Sequence, residues 1–125
     1  MTEVTCHCGA VHLTVPQAPT EVTECNCSVC RRLGARWAYY TPSEVSVAQV
    51  GSTHPYVWGD RMLAFHRCRR CGCVTHWQSL SVQPRMAINA RMIDGLDWTK
   101  VRIRQFDGDK TWAYLETPGG EAHIA

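Results

Sequence analysis

Cys6-His7-Cys8-Gly9, Cys25-Asn26-Cys27-Ser28-Val29-Cys30 and Cys68-Arg69-Arg70-Cys71-Gly72 hold seven of the chain's eight cysteines. No arrangement of ordinary core residues needs that spacing. Two thiolates separated by one or two residues reach one ion from a single tight turn, and two such pairs close a tetrahedral zinc site. Cys6, Cys8, Cys68 and Cys71 therefore make four ligands and seal one zinc. Cys25, Cys27 and Cys30 make three and leave a second zinc with an open coordination position. Closed sites hold folds and open sites do chemistry.

A disulfide framework is the competing reading of an even cysteine count in a short chain. Met1-Thr2-Glu3-Val4 forms no basic and apolar leader, so the expected compartment is the cytoplasm, where cysteine clusters bind metal more often than they bridge. Zinc is preferred over iron–sulfur or copper because no redox-cofactor signature accompanies the thiols. The expected complement is two zinc ions per chain.

Outward from the cysteines the pattern is mostly β. Val11, Leu13 and Val15 alternate with His12 and Thr14, with residues 2 to 6 as hairpin partner. Strands are expected over 36–41, from Val45 and Val47 up to Gly51, over 62–67 into the second cysteine knuckle and over 74–80 out of it. Further strands are expected over 85–93, 101–106 and 112–115. Gly72 sits where such a knuckle wants a positive φ. The one helical candidate is the single turn from Ser28 to Leu33, stopped by Gly34, with Ser28 as its cap and Cys30 in its first turn. There, unpaired N–H groups and the helix dipole favour thiolate, and Arg31 and Arg32 add positive charge.

With 125 residues and no visible linker or repeat, residues 1–125 are expected to form a single zinc-binding domain. No apolar stretch approaches a membrane span. The formal charge is +2 and the pI about 8.2, but seven thiolates and two zinc ions would together contribute about −3. The holo protein is then near neutral, below the basic balance of a nucleic-acid footprint.

The order Cys-x-Cys-Gly, Cys-x-Cys-x-x-Cys, Cys-x-x-Cys-Gly resembles the family of glutathione-dependent formaldehyde-activating enzymes, which includes centromere protein V. Gly34-Ala35, Ile88-Asn89-Ala90-Arg91, Asp94-Gly95 and Phe106-Asp107-Gly108 extend the likeness over nearly the whole chain. The resemblance implies a β-tent fold of small antiparallel sheets with zinc knuckles and one short helical turn. It implies a structural zinc on Cys6, Cys8, Cys68 and Cys71 and a catalytic zinc on Cys25, Cys27 and Cys30. The activity it implies is a zinc-dependent carbon–sulfur lyase that makes or cleaves S-hydroxymethyl thioethers, with glutathione or a similar small thiol and an aldehyde as partners. The alternative from another class is a non-catalytic zinc module for nucleic acid or protein, for which Arg67, Arg69 and Arg70 around the knuckle speak.

Cys73 has no place in this ligand scheme and reads as a small buried apolar residue, with a fourth ligand or a free thiol as alternatives. His7, His66 and His76 flank ligands but read as ordinary strand or turn histidines. Asp94, Asp97, Asp107 and Asp109 read as turn chemistry first. Trp37, Tyr39, Tyr40, Trp77 and Trp98 are expected in the core or a pocket wall.

Overall fold

The computed structural model describes residues 1–48 and 51–115 and the backbone of 123–124. It is mostly β, in two sheets. The first is small: β1 (Thr2–Thr5) pairs antiparallel with β2 (His12–Val15), placing Val4 opposite Leu13. β5 (Ser46–Val47) lies on the other edge of β2. The expected strand there keeps only these two residues, and its last residues before Gly51 lie outside the described ones.

The larger sheet uses β3 (Glu21–Cys25), β4 (Trp37–Tyr40), β6 (Thr53–Tyr56), β7 (Leu63–Cys68), β8 (Val74–Ser79), β9 (Met86–Asn89), β10 (Arg102–Asp107) and β11 (Ala113–Tyr114). Their spatial order is β11-β10-β3-β4-β9-β8-β7-β6. The short β12 (His123–Ile124) also pairs with β10. Neighbours run antiparallel except β3 and β10, which are parallel and set Cys25 beside Phe106. Three of these strands, β3, β6 and β12, have no counterpart in the sequence reading. β6 contains Pro55, which cannot donate to a ladder and is tolerated here because β6 is an edge.

The central strands are buried on both faces. β9 turns Met86 and Ile88 into one apolar cluster with Val4, Val11, Leu13 and Ile103, and turns Ala87 into a second with Trp37, Phe65, Trp77 and Cys30. The first cluster lies under the small sheet, and the second underlies the cysteine triplet. β9 also ends earlier than its apolar run suggests. The Asn89 side chain accepts from the Arg91 and Arg36 N–H groups and donates to the Val74 carbonyl, so the chain turns into a 3-10 turn over Ala90–Met92.

Candidate metal centres

The Sγ atoms of Cys6, Cys8, Cys68 and Cys71 lie within 4.8 Å of one another, and so do those of Cys25, Cys27 and Cys30. These separations suit thiolates gathered around a common ion, and either group could hold zinc. Among the described residues neither group includes a histidine or carboxylate.

The four-cysteine group joins two knuckles of the same design. In one, the Gly9 N–H donates to the Cys6 carbonyl and the Val11 N–H to Cys6 Sγ at 3.2 Å. In the other, the Gly72 N–H donates to the Cys68 carbonyl, and the N–H groups of Arg70 and Cys71 point at Cys68 Sγ at 3.4 and 3.5 Å. Gly9 and Gly72 take φ of 81° and 79°, which a glycine adopts without steric cost. Cys8 bridges the pair, with its Sγ 3.7 Å from Cys6 and 3.6 Å from Cys68. Backbone donors aimed at sulfur stabilise the thiolate form that a metal requires.

The triplet is built from the end of β3 and the start of α1 (Ser28–Leu33). Cys27, not Ser28, is the helix cap: its Sγ accepts from the Cys30 N–H at 3.4 Å, doing with sulfur what a serine oxygen would do. Gly34, at φ 64°, closes the helix as expected. The Cys27 N–H points at Cys25 Sγ at 3.5 Å, and the Trp37 indole N–H donates to Cys30 Sγ at 3.4 Å. A hydrogen bond from Cys30 and the backbone N–H groups of Cys27 and Gly108 lower the Cys25 thiol to about 6. Donation to Cys25, followed by burial, pushes the Cys30 thiol far up. Three thiols this close cannot all ionise unaided, and a dication removes the conflict.

A second segment completes the triplet. Asn26 donates to the Asp107 carboxylate at 3.0 Å, its own N–H reaches the Phe106 carbonyl, and its side-chain oxygen accepts from the Asp109 N–H. Asp107 is buried and also accepts from the Lys110 and Thr111 N–H groups and the Thr111 hydroxyl. The bond from Asn26, then those from Thr111, hold its carboxyl far below the usual range. The turn expected at Asp107-Gly108 is therefore present and carries an additional task, which is to lay Gly108 against Cys25. No local signal in the sequence announced it. Glu24 braces the same region by accepting from Arg36 at 2.7 Å and Gln105 at 2.8 Å.

The triplet opens on a cavity of about 950 Å³. Its floor is Trp37, with Phe65 at 5.9 Å and Trp77 edge-on at 6.4 Å; Tyr39 stands edge-on to Trp77 at 6.0 Å. Phe106, also in the lining, meets Trp112 at 5.1 Å and Tyr114 at 5.0 Å. Trp58 and Met62, both substantially exposed, also line it. The Tyr114 hydroxyl lies 2.9 Å from that of Thr23. Burial pushes the neighbouring Tyr39 phenol up to about 12, so it keeps its proton through the neutral range.

The remaining sequence candidates stand outside both groups. Cys73 is half-buried against the first apolar cluster, and its sulfur accepts from the His7 N–H. His66 and His76 stack at 4.6 Å, each bound through Nδ1 to a threonine hydroxyl, Thr53 and Thr75 respectively. Asp97 caps a 3-10 turn through Thr99, and Gly95 at φ 76° forms the turn after Asp94. Trp98 lies under the Arg36 guanidinium, and the Tyr40 hydroxyl ties to the Gln17 carbonyl. Among the described residues, no helix is long and apolar enough to cross a membrane.

A family model described as glutathione-dependent formaldehyde-activating enzyme matches residues 1–109. A crystal structure of a Rhodobacter sphaeroides protein is similar at 32% identity with a TM-score of 0.67, covering 76% of this chain and 90% of that one. No curated protein matches.

Proposed function

The chain belongs to the glutathione-dependent formaldehyde-activating enzyme family, and from that premise we propose that it is a carbon–sulfur lyase for thiol–aldehyde adducts, with Cys25, Cys27 and Cys30 holding its catalytic zinc. Cys6, Cys8, Cys68 and Cys71 hold a structural zinc, giving two per chain in a single cytoplasmic domain of residues 1–125. The observation that carries this reading is the contrast between the two groups: four sulfurs close a site, while three sulfurs facing a cavity leave a coordination position for a ligand.

Zinc held there would supply Lewis acidity, drawing a small thiol such as glutathione toward its thiolate at neutral pH. The chain's own residues fit that task. The Trp37 indole N–H and the N–H groups of Cys27, Cys30 and Gly108 donate to the three sulfurs and hold their geometry. The aromatic side chains that line the cavity offer apolar surface beside the sulfurs. The Tyr39 and Tyr114 hydroxyls offer donors to the developing adduct oxygen.

The chemistry is an addition and its reverse. The thiolate electron pair forms the C–S bond, the carbonyl π pair moves to oxygen, and oxygen takes up a proton equal to the one the thiol released. Cleavage of the S-hydroxyalkyl thioether returns thiol and aldehyde, with no change of oxidation state.

The test is exchange spectroscopy of the S-hydroxymethyl adducts of glutathione, 2-mercaptoethanol and benzyl mercaptan against free formaldehyde on protein carrying two metal ions. Exchange above the uncatalysed rate that disappears in Cys27→Ala is expected. An uncatalysed rate with every one of these thiols and both ions bound would leave the non-catalytic zinc module as the better reading.

A further inference from the structure

Resting on that thiol–aldehyde chemistry, we infer that the substrate of this site carries a flat apolar group, aromatic in kind, on its thiol half or its aldehyde half, in place of the charged tripeptide of glutathione. The cavity beside the triplet is the ground. Its volume of about 950 Å³ lies at the upper end of the ~300–1,000 Å³ that accommodates drug-sized ligands, and formaldehyde would fill a small corner of it.

Its chemistry is more telling than its size. Trp37, Phe65 and Trp77 line it almost wholly buried against one another, and the accessible ring surface comes from Tyr39, Trp58 and Trp112, with Phe106 and Tyr114 packed beside the last. A ring entering the cavity finds in these side chains the tilted and edge-to-face partners that aromatic groups prefer. Among the described lining residues the charges reduce to one cation, Arg85, and one anion, Asp60, and Arg85 already lies over Trp77 at 5.7 Å. Glutathione would bring two carboxylates and an ammonium against these walls. Arg85 and Asp60 can match one carboxylate and the ammonium, which leaves the second carboxylate to lose water without a partner, a cost that an apolar group does not incur. The polar groups that remain, the three sulfurs and the hydroxyls of Tyr39 and Tyr114, match the sulfur and the single oxygen of a thiol–aldehyde adduct.

The test uses the full chain with cobalt(II) in place of zinc, where the difference between wild type and Cys27→Ala isolates the thiolate–cobalt absorption of the triplet. One arm compares benzyl mercaptan with glutathione, each with formaldehyde. The other compares benzaldehyde with formaldehyde, each with 2-mercaptoethanol. A ring on one half should lower the midpoint about tenfold or more, equivalent to about 1.4 kcal/mol, and the responding arm identifies which half bears it. Trp58→Ala should narrow that gap. Glutathione with formaldehyde binding as tightly as every ring-bearing pair would overturn the inference while leaving the thiol chemistry intact. If no thiol perturbs the cobalt spectrum, the thiol chemistry itself falls. Benzyl alcohol, which has no sulfur, then decides the inference separately: saturable quenching of tryptophan fluorescence supports an apolar-binding cavity, and no quenching overturns it.

Discussion

A β-carbon on Gly108 would stand 2.5 Å from the Cys25 Sγ and 3.4 Å from the Cys27 Cβ. The triplet therefore depends on a residue more than eighty positions away having no side chain. Gly108→Ala should displace Cys25 and lower metal retention at the triplet, while the four-cysteine group keeps its ion. Metal analysis after dialysis should fall from about two equivalents toward one, as expected when three-ligand sites lose a donor. Two retained equivalents would refute this dependence.

Trp37 gives its indole N–H to Cys30 Sγ while its ring is buried in the second apolar cluster. Trp37→Phe keeps much of the apolar surface and removes the donor. Outer partners of metal ligands typically tune affinity by about 10–100-fold. Competition with a chromophoric chelator should register a loss in that range for one metal per chain and none for the other.

The two groups should respond oppositely to ligand loss. Cys68 joins knuckles some sixty residues apart through its contact with Cys8, and structural zinc contributes on the order of 10 kcal/mol to the folded state. Cys68→Ser should be insoluble or cooperatively destabilised. Cys27→Ala should melt close to wild type, bind one metal fewer and lose thiol binding. Equal destabilisation in the two variants would count against an open site at the triplet.

Cys73 lies outside both groups and is held by the His7 N–H against the first cluster. Cys73→Ser should leave metal content and thiol-dependent exchange unchanged and cost about 1 kcal/mol or less in stability. Loss of one metal equivalent would make Cys73 a ligand.

His76 is buried against the parallel ring of His66, and burial followed by that neighbour lowers it to about 3. An unfolded imidazole binds its proton near 6.5. Between those values the unfolded chain binds more protons, so the contribution of His76 is complete above pH ~6.5 and is lost as pH falls toward 3. For one proton the slope approaches about 1.4 kcal/mol per pH unit. Melting temperatures from pH 7.5 to 5.5 should decline less steeply in His76→Gln than in wild type, and parallel curves would exclude this origin.

Much of the fold is legible locally because its determinants are local. The alternation of Val11, Leu13 and Val15 specifies a strand with one buried face, and Gly72 marks the knuckle turn whose φ it adopts. The turn from Ser28 to Leu33 ends at Gly34 where a left-handed residue is needed. β3 escaped notice because Glu21-Val22-Thr23-Glu24-Cys25 is mixed in polarity, and its place in the sheet comes from the parallel partner β10. Sequence spacing also misassigned the helix cap, since it favours a serine oxygen and gives no sign that the Cys27 sulfur takes the Cys30 N–H.

Spacing along the chain lays down the cysteine inventory: two pairs and a triplet, each held in a tight turn whose geometry depends on adjacent residues. What the triplet faces follows instead from long-range packing. Trp37 and Gly108 reach it from β4 and from the turn after β10, Asn26 and Asp107 hydrogen-bond across the gap, and the aromatic walls come from strands scattered along the chain. Side-chain periodicity reports which face of a strand is buried. It carries no information about which distant face will meet it, because that choice is made by strand pairing and packing across the whole sheet.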